Sequence, residues 1–162
     1  AIDMMSLLKL LEKNCRLNNA QLASMLGISE DEVAKKIEEL EKNHIILGYR
    51  AIVDWEQAKE DSVNALIEVK VTPQRDLGFE RVAERIYQYE EVESLYLMSG
   101  GFDLCVMING KSMKEVAQFV ATKLAPIEGV RGTATHFVLK KYKDHGVMFN
   151  VEEEKQERAY LL

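Results

Sequence analysis

The stretch that decides the fold of the first third of the chain is Asn18-Asn19-Ala20-Gln21-Leu22-Ala23-Ser24-Met25-Leu26-Gly27-Ile28-Ser29-Glu30-Asp31-Glu32. Asn18 and Gln21 stand three residues apart, as do Ser29 and Glu32, and this spacing is typical of the capping box that begins a helix. Gly27 falls between the two predicted helices, where a tight turn favours a residue without a Cβ. The stretch therefore predicts a helix, a glycine turn and a second helix.

The flanking residues extend this pattern on both sides. A preceding helix is predicted from the apolar spacing of Met4, Leu7, Leu8 and Leu11, and the helix after Ser29 buries Val33, Ile37 and Leu40. Residues 45–53 predict two short strands that turn near Gly48. Three helices and a hairpin are typical of a winged helix-turn-helix, whose third helix enters the major groove of DNA. A three-helix bundle with a glycine turn is also a common inert scaffold, so the pattern alone leaves both interpretations open.

The rest of the chain alternates between strand and helix periods. Strands are predicted over residues 63–71, 92–98, 104–108 and 130–139. Two amphipathic helices are predicted between them, with stripes of Phe79, Val82, Ala83, Ile86 and Tyr87, and of Met113, Val116, Ala117, Val120, Ala121 and Leu124. The order βαββαβ predicts a ferredoxin-like domain, so the fold class is α+β.

These predicted elements divide the chain into four parts. We expect a winged helix-turn-helix domain at 1–50, a linker strand and hinge at 51–62, a ferredoxin-like effector-binding and oligomerisation domain at 63–143, and a charged tail at 144–162. Within the tail, residues 152–158 predict a short helix or a frayed end.

Composition narrows the class of protein. The 162 residues are 47% apolar and 30% charged, and 21 basic against 27 acidic residues give a net charge of −6. Such a chain builds a core, but it is not a generally basic nucleic-acid coat protein.

Two cysteines make neither a disulfide framework nor a metal cluster, and the three histidines have no metal-ligand spacing. We see no signal peptide or membrane helix and expect a cytoplasmic protein with no metal and no cofactor.

Several motifs resemble the Lrp/AsnC (leucine-responsive, or feast/famine) family of transcription regulators. They are Arg16–Ala23, Leu26–Ser29, Ile37–Glu41, Ile45–Ala51, Ser99–Asp103, Gly129-Val130, Thr133, Thr135 and Val138–Lys140. The match runs from about residue 3 to residue 143. The resemblance implies a winged helix-turn-helix joined to a ferredoxin-like effector domain, double-stranded DNA as a partner, and homodimers that assemble into tetramers or octamers. It also implies small effectors, often amino acids, bound between neighbouring subunits at the glycine turn.

The third helix departs from the family pattern. Family members usually carry small, hydroxyl or basic residues at its start, whereas this chain has Glu30-Asp31-Glu32. We expect Lys35 and Lys36 to contact DNA, with Ser29 and Arg50 as weaker candidates; the alternative is a solvated helix face. Carboxylates near phosphates are repelled, so this helix also raises the hypothesis of an effector-binding oligomer with weak or lost DNA binding.

The predicted effector site has residues suited to an amino acid: Ser99, Gly100, Gly101, Asp103, Thr133 and Thr135. Backbone N–H groups of the glycines can approach a carboxylate, and Asp103 can accept an ammonium group. Each feature has an ordinary alternative: a hairpin turn, a turn-capping aspartate, and threonines chosen for strand propensity. Tyr96 and Met98 could flank this turn, although aromatic residues and methionines on strands are usually in the core, and Cys105 is expected in the core.

A third hypothesis is that the protein is an enzyme. Some proteins that resemble this family decarboxylate tetrapyrroles, and such a site would need histidine and arginine side chains that converge on a large pocket. The sequence shows no nucleophile motif or phosphate-binding loop, so we expect no catalytic residues.

Overall fold

The computed structural model describes residues 4–72 and 78–149. The chain divides into two compact units, residues 1–52 and residues 53–162. Within the described ranges, no helix is both long and apolar enough to cross a membrane. The predicted tail segment 152–158 lies outside the described residues.

The first unit contains three helices, α1 (Met4–Lys13), α2 (Asn19–Leu26) and α3 (Glu30–Lys42). The Asn18 side chain accepts from the N–H of Gln21 at 2.8 Å, and the Gln21 side chain accepts from the N–H of Asn18 at 3.0 Å. This reciprocal pair is the predicted capping box at the start of α2. Gly27 ends α2 in the left-handed conformation, with φ 68°. The start of α2 and its end at the turn are thus determined by residues within the segment itself, the capping pair and Gly27.

The three helices pack around one small core. Its buried members are Leu7, Leu11, Leu22, Ala23, Val33 and Leu40. Leu7 and Leu11 belong to the stripe predicted on α1, and Val33 and Leu40 belong to the stripe predicted on α3. This packing fixes which side of α3 faces away from the unit.

The predicted hairpin at residues 45–53 is wrong, because the structure has no strand there. The N–H groups of Ile45 and Ile46 both donate to the carbonyl oxygen of Leu40, at 2.9 and 3.1 Å. These bonds cap the carboxyl end of α3 and occupy donors that a paired strand would use. The segment continues without regular structure.

The second unit contains β1 (Val63–Val71), α4 (Glu80–Tyr87), β2 (Val92–Leu97), β3 (Leu104–Gly110), α5 (Met113–Phe119), a π-helical turn (Val120–Leu124) and β4 (Val130–Phe137). The strands form an antiparallel sheet in the order β2-β3-β1-β4. The predicted ferredoxin-like βαββαβ arrangement and the α+β class are confirmed. Strand ends differ from the predicted ends by two residues or fewer.

The core of this unit lies between the helices and one face of the sheet. In β1, the alternate residues Ala65, Ile67, Val69 and Val71 are buried. They pack with Val82, Ile86, Leu104, Val106, Ile108, Val116, Phe119, Val120, Leu124 and Ile127. The residues between them in β1, such as Leu66 and Glu68, point to the opposite face of the sheet.

The second helix stripe differs from the prediction. Val116, Val120 and Leu124 are buried as expected, but Met113, Ala117 and Ala121 are exposed, and Phe119 is buried instead. The π-helical turn, in which the N–H of Ala125 donates to the carbonyl oxygen of Val120 at 2.8 Å, bears on Ala121 alone, because Met113 and Ala117 precede it. A π turn contains an extra residue, so the 3.6-residue spacing does not continue through it. In the other predicted stripe, Tyr87 is exposed.

A short hairpin follows the sheet and was not predicted. It pairs β5 (Lys143–Asp144) with β6 (Val147–Met148). His145 and Gly146 form its turn with φ of 48° and 77°. Positive φ at both central residues is the geometry of the turn that suits a two-residue hairpin. Part of the predicted tail is therefore an ordered ribbon.

Candidate DNA-binding helix and effector site

Helix α3 carries Lys35 on the side away from its core residues, whereas Lys36 lies next to them, three residues after Val33 and four before Leu40. Val33 and Leu40 are buried, whereas Lys35 is exposed and Lys36 is half-buried. Among the described residues, no ion pair joins either lysine to a carboxylate. In the described part of the chain, both lysines are therefore without a carboxylate partner.

Ser29 acts as the N-cap of α3. Its hydroxyl oxygen accepts from the N–H of Glu32 at 3.2 Å. The return bond from the Glu32 side chain, which would complete the predicted capping box, is absent from the hydrogen bonds described. Glu32 is exposed, so water can solvate its carboxylate. The Ser29 hydroxyl keeps its hydrogen as a donor.

The net charge around α3 is negative. Residues 29–43 hold Glu30, Asp31, Glu32, Glu38, Glu39 and Glu41 against Lys35, Lys36 and Lys42. Asp31 and Glu38 lie one turn from Lys35 on its own helix face. A phosphate that approaches Lys35 therefore also approaches two carboxylates.

The segment that follows α3 is held by two side-chain contacts. The Tyr49 hydroxyl donates to Oε1 of Glu41 at 2.9 Å, and the Cys15 Sγ lies 3.8 Å from the carbonyl oxygen of Arg50. Desolvation raises the pKa of Tyr49, and the bond to Glu41 and its charge add to the rise. The Arg50 side chain is exposed. Sequence reasoning missed the Tyr49–Glu41 contact, because no local pattern signals a bond across eight residues.

The glycine turn joins β2 to β3 and is fixed to the sheet by Asp103. The N–H of Met98 donates to the Asp103 carbonyl oxygen at 2.8 Å, and the N–H of Asp103 donates to the Val69 carbonyl oxygen at 3.1 Å. Oδ2 of Asp103 accepts from the N–H of Val71 at 2.8 Å, where the register between β1 and β4 shifts. One carboxylate oxygen thus holds the turn, while no described hydrogen bond uses Oδ1.

Gly100 gives the turn a conformation that other residues rarely adopt. Its φ is 109°, whereas the backbone of Gly101 is not in the positive-φ region. A Cβ at either position would meet nothing within 4 Å. Gly100 is therefore required by the backbone, and the space above both glycines is open.

The two threonines lie on β4 at some distance from the turn. Thr133 is paired with Val69 and Thr135 with Ile67, so both lie on the helix-covered face of the sheet. Asp103 and Thr133 flank Val69 from opposite sides, with β1 between them. Two strand spacings amount to about 10 Å, so one amino acid would have to reach across β1 to contact both. Within this chain, Ser99, Gly100, Gly101 and Asp103 share a turn, and the threonines lie apart from it.

Side chains beside the turn are more exposed than expected. Tyr96, Leu97 and Met98 are 53%, 65% and 42% exposed, so of the two alternatives for Tyr96 and Met98 the core is wrong and the position beside the turn is found. Tyr96 is paired with Cys105, which is paired with Glu68, so Tyr96 lies on the sheet face opposite the helices, and β2 is an edge strand. Cys105 is buried, as expected, and burial raises the pKa of its thiol, with a further contribution from the charge of Glu68.

Two family models match this chain. Residues 64–148 match the Lrp/AsnC ligand binding domain, and residues 5–46 match a winged helix-turn-helix DNA-binding domain. The chain belongs to the Lrp/AsnC family. As an Lrp/AsnC protein it is a transcription regulator with a helix-turn-helix DNA-binding domain and a ligand-binding domain, as the resemblance implied.

Relatives and solved structures agree with the Lrp/AsnC assignment. The uncharacterised HTH-type transcriptional regulator YugG of Bacillus subtilis is 49% identical over 144 residues, which cover 88% of this chain and 87% of that protein. A transcriptional regulator of Neisseria meningitidis, solved with L-methionine, has a TM-score of 0.74 at 24% identity and covers 94% of this chain and 99% of its own. A feast or famine regulatory protein of M. tuberculosis, also complexed with L-methionine, has a TM-score of 0.71 at 22% identity, with coverage of 85% and 90%. These two structures share the fold of this Lrp/AsnC protein.

Groups that could hold a metal ion are absent from the described part of the chain, where no three His, Cys, Asp or Glu side chains come together suitably.

Proposed function

We propose that this protein is an oligomeric, sequence-specific DNA-binding regulator whose affinity for its DNA sites changes when an amino acid binds at the glycine turn. The observation that carries the proposal is the presence, in one chain, of a helix with unpaired lysines on a helix-turn-helix unit and a ligand-binding domain with an anchored glycine turn. Such a protein acts where the DNA is, in the cytoplasm of a prokaryotic cell.

The proposed DNA contacts are Lys35 and Lys36, with Ser29 and Arg50 at the edges. Both lysines lack a carboxylate partner within the described residues, and the Ser29 hydroxyl still has a hydrogen to donate. Few basic groups per unit mean few counterions released on binding, so two symmetric copies are needed for tight binding.

The proposed effector contacts lie around the turn of Ser99, Gly100, Gly101 and Asp103. The space above the glycines is open to a ligand carboxylate, and Oδ1 of Asp103 is available for an ammonium group. Thr133 and Thr135 are proposed as a separate part of the site, because β1 stands between them and Asp103. Exposed Tyr96, Leu97 and Met98 beside the turn favour a neighbouring subunit that completes the pocket. Two proteins of the same fold have been solved with L-methionine, which makes methionine a first ligand to test.

The sharpest test of sequence-specific DNA binding is selection of binding sites from random genomic fragments by the purified full-length protein at two salt concentrations. We expect enrichment of a palindromic sequence and a steep loss of affinity at the higher salt. An amino-acid screen on the selected fragment, starting with methionine, then measures the effector response. A folded oligomer that enriches no fragment would contradict the proposal.

The contribution of α3 is tested by changing Lys35 and Lys36 together to glutamine. Each lost phosphate contact lowers the slope of log K against log salt by about 0.9, so the slope falls by about 2 per bound protomer. Lys9→Gln with Lys13→Gln is the matched control, because both lysines are exposed on α1 and the charge change is the same. Equal slopes for the two double variants would remove these lysines from the DNA interface.

The acidic surface of α3 favours a second candidate, an effector-binding oligomer with weak or lost DNA binding. Six acids against three bases repel phosphates along the helix that should enter the groove. This candidate predicts amino-acid binding by calorimetry together with no fragment enrichment. The first candidate predicts both.

A further inference from the structure

The ribbon after the sheet carries positive charge in an acidic part of the protein. Residues 138–146 contain three lysines and one aspartate, whereas the whole second unit has fourteen basic and nineteen acidic residues. The sign of this local charge is thus opposite to that of the unit around it.

Backbone pairing holds the ribbon in shape. Lys143 is paired with Met148, and the N–H of Phe149 donates to the Tyr142 carbonyl oxygen at 3.0 Å, which continues the pairing beyond β5 and β6. The two turn residues between the strands both have positive φ. The side chains of the ribbon are therefore presented from an ordered backbone.

The three lysines have different surroundings. Lys141 is half-buried and pairs with Asp144 at 3.3 Å, with its Nζ 5.7 Å from the centre of the Phe149 ring. Lys140 and Lys143 are exposed, and within the described residues neither lies within 4 Å of a carboxylate oxygen. Asp144 is therefore neutralised by Lys141, and the outward charge comes from the other two lysines.

Tyr142 lies between these two lysines in the chain. Its side chain is 71% exposed, and Nζ of Lys140 lies 5.2 Å from the centre of its ring. Lysine ammonium groups and tyrosine hydroxyls are common donors to DNA phosphates. Two exposed cations and one hydroxyl thus lie within four residues of a narrow ribbon, a concentration of donors suited to phosphates.

Acidic side chains lie near one end of this surface. Asp54, Glu56, Glu60 and Asp61 line a crevice that Lys140 and Lys141 also line, and Lys143 is not part of that lining. No described ion pair joins these acids to either lysine. These acids weaken the attraction of Lys140 for a phosphate, so Lys143 should contribute more to phosphate binding than Lys140 does.

We propose that Lys140, Tyr142 and Lys143 bind backbone phosphates of duplex DNA, as a contact that the helix-turn-helix unit does not provide. The proposal rests on the proposed function, since it needs a protein that binds DNA. This contact adds cations to the few that the acidic α3 provides. It carries no base specificity, because phosphates are the same in every sequence.

The experiment compares the full-length protein with Lys140→Gln/Lys143→Gln on a selected fragment and on an unrelated duplex. Lys111→Gln/Lys114→Gln is the matched control, because these lysines are exposed in the same unit and the change in net charge is identical. Two lost phosphate contacts lower the salt slope by about 2 per protomer. Between about 50 and 200 mM salt, the ratio of wild-type to variant affinity then falls roughly tenfold, on both duplexes alike.

The outcomes separate this inference from the function on which it rests. A fall in slope for the ribbon variant but not for the control supports the inference. Wild-type binding with equal slopes for all three proteins overturns it and leaves the DNA-binding function intact, with the ribbon then available for another acidic partner. Absence of any wild-type DNA binding overturns both. If the double variant unfolds, Lys143→Gln alone should lower the slope by about 1 per protomer, and an unchanged slope overturns the inference.

Discussion

Asp103 has two tasks in this protein, and each carboxylate oxygen is suited to one of them. Oδ2 accepts from the N–H of Val71 at the point where the pairing of β1 with β4 shifts. A turn held in this way keeps the N–H groups of its two glycines in a fixed place. The role as turn cap and the role as ligand acceptor were alternatives in the sequence, and the geometry allows both.

Asp103→Ala should destabilise the protein by about 1–3 kcal/mol, because the half-buried N–H of Val71 then loses its acceptor. Asp103→Asn keeps one oxygen as an acceptor and should cost less than half as much. Urea unfolding of both variants measures the difference. Amino-acid binding should weaken in both, because the negative charge is lost in both. Equal unfolding free energies for the two variants would contradict the capping role.

Sequence alternation showed that Thr133 and Thr135 share a face, but it could not say which face. Their pairing with Val69 and Ile67 puts them on the helix-covered side. Register depends on bonds between distant parts of the chain, so a single strand does not reveal it. The exposure of Tyr96 has the same origin, because only its pairing with Cys105 shows that it lies on the face opposite the helices.

The starts of α2 and α3 were predicted well because they depend on residues three positions apart. The capping box at Asn18 and the left-handed Gly27 both appear as expected. The π-helical turn at Val120–Leu124 was missed and a hairpin at 45–53 was wrongly predicted, because each depends on which carbonyl group a given N–H selects. The β5–β6 hairpin was missed because its turn residues, His145 and Gly146, are a weaker signal than Asn-Gly.

The capping box at α2 is expected to support the whole first unit. Asn18→Ala removes the acceptor for the N–H of Gln21 and should cost about 0.5–2 kcal/mol of unfolding free energy. Asn19→Ala is the matched control, because it lies one residue further in, is exposed, and should change stability by no more than about 0.5 kcal/mol. Thermal and urea unfolding of the full-length variants give both values, and equal losses would mean that the cap contributes nothing of its own.

At the level of the whole molecule, charge sets the conditions for function. A net charge of −6 opposes approach to DNA, so attraction must come from local cations and from the number of copies that bind together. Exposed apolar side chains at the end of β2 and half-buried ones on the open face of the sheet favour a second copy as the cover. Assembly and DNA binding should therefore rise and fall together.

Leu66→Glu tests this coupling. Leu66 is half-buried on the sheet face opposite the helices, where His136 and Met107 are its strand neighbours. If a second copy covers this face, an added carboxylate is buried without a partner, at a cost of about 3 kcal/mol or more, and the dimer dissociation constant rises at least roughly 100-fold. Ala117→Glu adds the same charge to the exposed side of α5 and should leave assembly unchanged. Sedimentation velocity over a range of concentrations measures assembly, and circular dichroism checks the fold. DNA affinity should fall when the dimer is lost, because a monomer binds only one half-site of the DNA whereas a dimer binds two. A Leu66→Glu protein that sediments like the wild type would place the dimer contact elsewhere.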